Sequence, residues 1–198
     1  MKYILASASP RRKELLEQIG LHFSIHKAVG EERITTDVPQ DAVQELAMQK
    51  AKEVAAFYRD QKEPVLIIAA DTVVAAQGRI LGKPADEQDA ARMLAMLQGA
   101  SHEVYTGVAL YYCGKDSWTD VFAEQTRVCV GSMTEEQIRA YIKTGEPMDK
   151  AGSYAIQGKF AVHIRRIEGD YANVVGLPLS ALYEKLLQHG IDILSDLG

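Results

Sequence analysis

Cysteine is nearly missing from this chain: 198 residues carry two, Cys113 and Cys129. Both lie in neighbouring strand-like runs, and a hairpin turning near Gly114-Lys115-Asp116 would set Cys113 by Trp118 and away from Cys129. A disulfide is not expected, and two lone thiols suit a reducing, cytoplasmic setting. No apolar run approaches the roughly 20 residues of a membrane helix. Met1-Lys2 leads straight into a short strand-like run, without the apolar core of a secretory leader. Basic excess is lacking as well: 22 Lys and Arg face 27 Asp and Glu, for a formal net charge of −5. Broad nucleic-acid binding relies on a basic face, so this balance argues against it. A polyanion would have to be met by a few cations focused in a cleft.

Several catalytic signatures are absent too. The five histidines, His22, His26, His102, His163 and His189, show neither HExxH spacing nor a Cys/His cluster, which argues against zinc. There is no Gly-x-Ser-x-Gly elbow for Ser-His-Asp catalysis. Neither a Gly-x-Gly-x-x-Gly fingerprint nor a P-loop is present. Repeats, low-complexity tracts and long linkers are also missing, and 47% hydrophobic with 25% charged residues is ordinary for a globular chain of this length.

What is present alternates strand and helix, which predicts an α/β architecture. Tyr3–Ala6 reads as a strand, followed by a helix from Ser9-Pro10 to Gly20. A second helix is predicted from about Asp41 to Arg59, with Val43, Leu46, Ala47, Ala51, Val54, Ala55 and Tyr58 as its apolar stripe. Pro64–Ala70 reads as a strand buried on both faces that ends in Asp71-Thr72. Val73–Ala76, a Gln77-Gly78 turn and Arg79–Leu81 then form a hairpin. Asp86 is suited to cap a helix closed by Gly99. Long strands follow at 103–113 and 118–130. Thr134-Glu135-Glu136-Gln137 reads as a capping box for a helix to about Thr144. A Gly-rich irregular stretch runs to Pro178, and a last amphipathic helix stops at Gly190.

The chemistry concentrates in a few places. At Ser7-Ala8-Ser9-Pro10-Arg11-Arg12 a strand breaks at small residues and restarts as a helix. Ser9 suits the N-cap and Pro10 the first helical position. Free N–H groups, two hydroxyls and the cations Arg11, Arg12 and Lys13 make this a candidate anion site, fit for a phosphorylated small molecule. Asp71, at the end of a buried strand, is the leading catalytic candidate. Lys83, in Gly82-Lys83-Pro84, reaches the same edge through the hairpin. Lys50 interrupts an inward-facing stripe, so it either snorkels or reaches a polar cavity. One of Glu31 and Glu32, on a polar loop, could join Asp71 around a divalent ion, since magnesium needs only one or two carboxylates plus substrate phosphates. The loop Thr144–Gly158 has the length and glycine content of a binding loop, with Asp149, Lys150 and Gln157 as candidate contacts.

Five ordered blocks resemble the Maf family of nucleotide pyrophosphatases: Ser7–Arg12, Asp71–Val74, Gly82–Pro84, Gly145–Gly158 and Gly169–Pro178. The resemblance implies one Maf-like domain over 1–198, an elongated mixed sheet flanked by helices, and two lobes around a nucleotide cleft, similar to the inosine triphosphate pyrophosphatase fold. It implies a nucleoside triphosphate substrate hydrolysed to the monophosphate and pyrophosphate with Mg or Mn. Asp71 would activate water; Ser7, Ser9, Arg12, Lys50 and Lys83 would hold phosphates; Glu32 would assist Asp71 at the metal. Arg11, Thr72 and Gln157 resemble the subgroup acting on dTTP and UTP, with modified pyrimidine triphosphates also open. Ser153 and Ala155 stand where Ala and Gly are common in the family. A homodimer is expected by the same resemblance, with the strands around Tyr111 and Tyr112 as one candidate interface. Two alternatives remain at this stage: a nucleotide-binding regulator of septum formation with weak catalysis, and a pyrophosphatase for modified purine triphosphates.

Overall fold

The apolar run from Val65 forms a twelve-residue strand, β3 (Val65–Ala76), that passes straight through Asp71. The expected strand end at Asp71 is therefore corrected: Asp71 lies in mid-strand. What ends nearby is its neighbour. β1 (Lys2–Leu5) runs parallel to β3 only from Lys2–Val65 to Leu5–Ile68. Beyond that point β3 continues without β1, and Asp71 lies just past the carboxyl end of the parallel pair, where open α/β sheets place ligands.

The structure is a computed structural model that describes residues 1–59 and 61–195. After β1 come α1 (Pro10–Gln18), β2 (Ser24–Ile25) and α2 (Pro39–Ala55), then β3, β4 (Arg79–Leu81), α3 (Glu87–Leu97), β5 (Ser101–Cys113) and β6 (Trp118–Val130). The rest of the order is α4 (Glu135–Ile142), three 3-10 turns, β7 (Ile164–Glu168), α5 (Tyr171–Val175) and α6 (Leu179–Gln188). Among the described residues these strands make one mixed, seven-stranded sheet flanked by helices, in the order β2-β1-β3-β5-β6-β7 with β4 paired to β3. No helix among the described residues is long and apolar enough to cross a membrane.

The chain divides into two compact units. One comprises Met1–Asp71, Thr106–Glu124 and the segment from Gly176; the other comprises Thr72–Tyr105 and Gln125–Val175. In the first, Val65, Ile67 and Ala69 of β3 join Ile4 and Ala6 against Ala47, Ala51, Val54 and Ala55 of α2. Side chains alternate across a strand, so Asp71 continues the row of Val65, Ile67 and Ala69 on the face that α2 covers. Burying each Val or Ile of such a row contributes about 1.5–3 kcal/mol, which holds α2 and β3 in fixed relation. Gly107 of β5 lets α2 sit close: a Cβ there would lie 2.3 Å from the Val43 carbonyl oxygen.

In the second unit, the Asp86 side chain caps α3 through the Asp89 amide at 2.8 Å, and Thr134 with Gln137 forms the expected capping box on α4. Ala90, Met93, Leu94 and Leu97 are all buried, as their spacing predicts. The irregular stretch before Pro178 differs from expectation, since it contains β7 and α5. β7 pairs antiparallel with β6 at the sheet edge and carries two apolar residues in five, too few for a clear strand period. Helix α2 begins two residues before the expected Asp41, because Pro39 takes the first helical position, and it ends at Ala55 rather than near Arg59. Cys113 and Cys129 are both free thiols. β5 is an interior strand, so Tyr111 and Tyr112 do not lie on an edge of the sheet; Tyr112 stacks on Trp118 with ring centroids 5.5 Å apart.

Candidate active site

Two helical turns beyond Val43, on the same face of α2, stands Lys50. Its side chain is 15% exposed and that of Asp71 14%, and the Lys50 ammonium donates to Asp71 Oδ1. The same ammonium lies 2.9 Å from Glu32 Oε1. Lys50 therefore reaches into a polar site instead of snorkelling to bulk water. One ammonium thus bridges two carboxylates from separate parts of the unit.

Glu32 comes from an irregular segment, so something outside it must set its place. Three side chains spaced one turn apart on α2 do so. Glu45 accepts from the Thr35 amide at 2.9 Å and from its hydroxyl at 2.6 Å. Gln49 accepts from the Arg33 amide at 3.0 Å and donates to the Arg33 carbonyl at 2.5 Å. Glu53 accepts from the Val29 and Gly30 amides at 2.8 and 3.0 Å. Four residues of helix advance about 6 Å, close to two residues of extended chain, so the segment runs alongside α2 nearly in step. Glu32, next to the doubly bonded Arg33, is thus brought to Lys50. Glu31 is not: it is exposed and paired with Arg33 at 2.8 Å.

The first turn of α1 supplies the second part of the site. Ser7 is buried, and its Oγ accepts from the Ser9 amide at 3.1 Å and from Arg12 Nη1 at 3.2 Å. Arg12 Nε donates to the Gly176 carbonyl at 2.8 Å, so both ends of the guanidinium fork are oriented. Burial lowers the Arg12 pKa from its ordinary value; the Asp71 carboxylate opposes this, Arg11 adds to it and Glu32 opposes it. An arginine remains charged through such a shift. Ser9 stands at the N-cap with Pro10 first in the helix, as expected, but its hydroxyl makes no capping bond. Lys13 departs from its expected place at the anion site and pairs with Glu17 on the surface at 3.4 Å. Arg11 is half-buried in the first turn.

The other unit holds the remaining candidates. Thr72 follows Asp71 in β3 and is half-buried. Lys83 is exposed, two residues after the β3–β4 pairing ends at Val74–Leu81. The loop containing Asp149, Lys150 and Gln157 is tied to this region, because the Gly152 amide donates to the Gly82 carbonyl at 3.0 Å. Lys150 is 14% exposed and ion-paired with the exposed Asp149, so it is not a free-standing surface lysine. Gln157 is exposed, following the buried Ile156. Tyr141 and Glu146 brace the loop: the phenol donates to Glu146 Oε1 at 2.8 Å and accepts from the Ala155 amide at 3.2 Å. Burial alone would raise the Glu146 carboxyl, yet the Lys159 amide, the Tyr141 hydroxyl and the Phe160 amide together hold it below its ordinary value.

Three contributors were not foreseen. The Gly176 carbonyl is a backbone group and has no side-chain signal. The Glu45-Gln49-Glu53 row has one, a four-residue period of acceptors on α2. The Tyr141–Glu146 bond joins residues across a helix end, which periodicity does not reveal.

As a donor set, Glu32 and Asp71 present hard carboxylate oxygens to a point that a cation already fills, which fits magnesium or manganese. Among the described residues no three His, Cys, Asp or Glu side chains gather closely enough to hold a metal by themselves. Further oxygens from water or a phosphate would have to complete the shell.

Two carboxylates on one ammonium and an oriented guanidinium beside a helix N-terminus, past the end of parallel strands, define an α/β protein equipped for phosphorylated small ligands. The chain belongs to the Maf family, matching "Maf-like protein" over residues 2–189. It is 54% identical over 201 residues to a dTTP/UTP pyrophosphatase of Agathobacter rectalis, covering 96% of this chain and 98% of that protein. It is 49% identical over 193 residues to a dTTP/UTP pyrophosphatase of Bacillus cereus, covering 97% of each. Among solved structures, a dITP/XTP pyrophosphatase from Mycobacterium abscessus aligns at 13% identity over 67% of this chain and 76% of that one, with a TM-score of 0.38, too slight a likeness to bear on the fold.

Proposed function

We propose that this protein hydrolyses dTTP and UTP to the nucleoside monophosphate and pyrophosphate. The observation that carries the reading is the Lys50 ammonium bound to both Asp71 and Glu32, beside the oriented Arg12. A pure nucleotide sensor needs the cations but has no use for a half-buried carboxylate set among them.

In this mechanism Asp71 accepts a proton from water as the oxygen attacks the α-phosphorus. The bond from the α-phosphorus to the bridging oxygen breaks, and that oxygen leaves with pyrophosphate. Arg12, Lys50 and Lys83 offset the charge of the triphosphate, and Ser7 and Ser9 donate hydroxyl hydrogen bonds to it. An arriving phosphate competes with Asp71 for Lys50, so substrate binding frees the base from its ion pair. Glu32 and Asp71 would hold a magnesium or manganese ion, which when bound neutralises phosphate charge. Arg11, Thr72 and Gln157 select the base, with donors for the carbonyls of thymine and uracil.

A panel of triphosphates tests the specificity, with pyrophosphate release measured under magnesium and manganese. Turnover of dTTP and UTP well above that of inosine and 7-methylguanosine triphosphates is expected. Preference for either purine would sink the assignment to pyrimidines.

A further inference from the structure

β5 carries one polar side chain that the proposed chemistry does not use. His102 is 0% exposed, in an inward row with Val104 and Thr106. Its Nε2 lies 2.8 Å from the Tyr154 hydroxyl, with the rings edge to face at 5.3 Å. Its Nδ1 has no hydrogen-bond partner among the described residues. An apolar residue would fill this place without stranding a buried polar atom, so the histidine is accounted for by its bond to Tyr154 rather than by packing.

Tyr154 sits at the centre of the substrate loop. The two residues before it are both left-handed: Gly152 at φ 66° and Ser153 at φ 61°. Gly152 packs where a Cβ would come within 2.8 Å of Val74, and its amide holds Gly82, the neighbour of Lys83. A non-glycine residue keeps a positive φ only where its surroundings over-determine it. Ser153 is held by its own hydroxyl on Met93 Sδ at 3.1 Å and, one residue on, by Tyr154, which also packs on Phe160 at 4.9 Å. The next residues lead to Gln157.

We propose that His102 is a positioning residue for substrate: through Tyr154 it fixes the turn at Gly152-Ser153, and with it the settings of Lys83 and Gln157. This rests on the reading of those two residues as substrate contacts. Only the loop's geometry is at stake, not the proton transfer, so the effect belongs in KM rather than kcat.

Four variants of the full chain test it: Tyr154→Phe, His102→Leu, His102→Gln and the double Tyr154→Phe/His102→Leu. Tyr154→Phe and His102→Leu should each raise KM for dTTP and UTP about tenfold, the order of one buried hydrogen bond, with kcat within about threefold. The double variant should be no worse than either single one. His102→Gln, whose amide reaches the place of Nε2, should restore most of the loss. Hydrogen–deuterium exchange of 151–158 should quicken in the two single variants while α3 stays protected. Unchanged KM and unchanged loop exchange, with only a lower melting temperature, would overturn the proposal and leave His102 a core residue. If wild type turns over no triphosphate, the functional reading fails instead, and the exchange arm still decides the loop claim.

Discussion

Lys50 and Asp71 meet because one helix face and one strand face are packed together: Lys50 extends the stripe of Val43, Leu46 and Ala47, and Asp71 extends the row of Val65, Ile67 and Ala69. The ion pair is the polar end of a hydrophobic contact. Its charge is tied to the same packing that holds the unit together.

Replacing Lys50 with methionine keeps the stem and removes the ammonium. Turnover should fall about 10²–10³-fold, the usual cost of losing one preorganised electrostatic partner. Steady-state kinetics with saturating magnesium check this. A variant within about threefold of wild type would show that Lys50 serves only as a structural counter-ion.

Gln49→Ala removes both hydrogen bonds to Arg33 and so loosens Glu32 without touching it. Manganese binding, followed by electron paramagnetic resonance, should weaken several-fold. The melting temperature should move little, because these bonds are solvent-exposed. Glu32→Gln serves as the reference: if it too binds manganese as wild type does, Glu32 is not a metal ligand.

Gly107→Ala places a methyl against the Val43 carbonyl, and α2 has to retreat from the sheet. Overpacking of this kind costs about 1–3 kcal/mol. Urea unfolding should record that loss. Activity should fall with it, because Lys50 rides on the same helix.

His102 also makes stability depend on pH. Burial lowers its pKa from 6.5 to about 4, while the unfolded chain keeps the ordinary value. Between those two pH values the unfolded state binds more protons, so stability rises with pH across this window and is lost as pH falls from about 6.5 towards 4. The full contribution is about 3 kcal/mol, from about 1.36 kcal/mol per unit. Tyr154, its partner, stays a neutral phenol throughout, because burial raises its pKa. Urea midpoints measured from pH 7 down to 4.5 should fall more steeply for wild type than for His102→Gln. Parallel curves would contradict this origin of the acid sensitivity.

Much of the fold was legible where local chemistry decides it. The Ser9-Pro10 helix start, the Asp86 cap, the Thr134 capping box and the inward place of Lys50 all follow from residue type and spacing. Asp71, expected at a strand end, lies in mid-strand instead. The run 65–76 reads the same whether or not its partner continues, and only the shortness of β1 creates the opening beside it. The choice of Glu32 over Glu31 is likewise made by three α2 side chains rather than by the loop. β7 escaped notice because an edge strand with two solvated arginines needs little apolar alternation.

The most direct test of the account is pyrophosphate release from dTTP by Asp71→Asn beside wild type, with magnesium present and binding measured separately. The amide is nearly the same shape but cannot take the proton from water. Turnover should fall about 10²–10⁴-fold with dTTP still bound, as expected on loss of a general base. Turnover close to wild type would contradict the account and remove Asp71 from the chemistry.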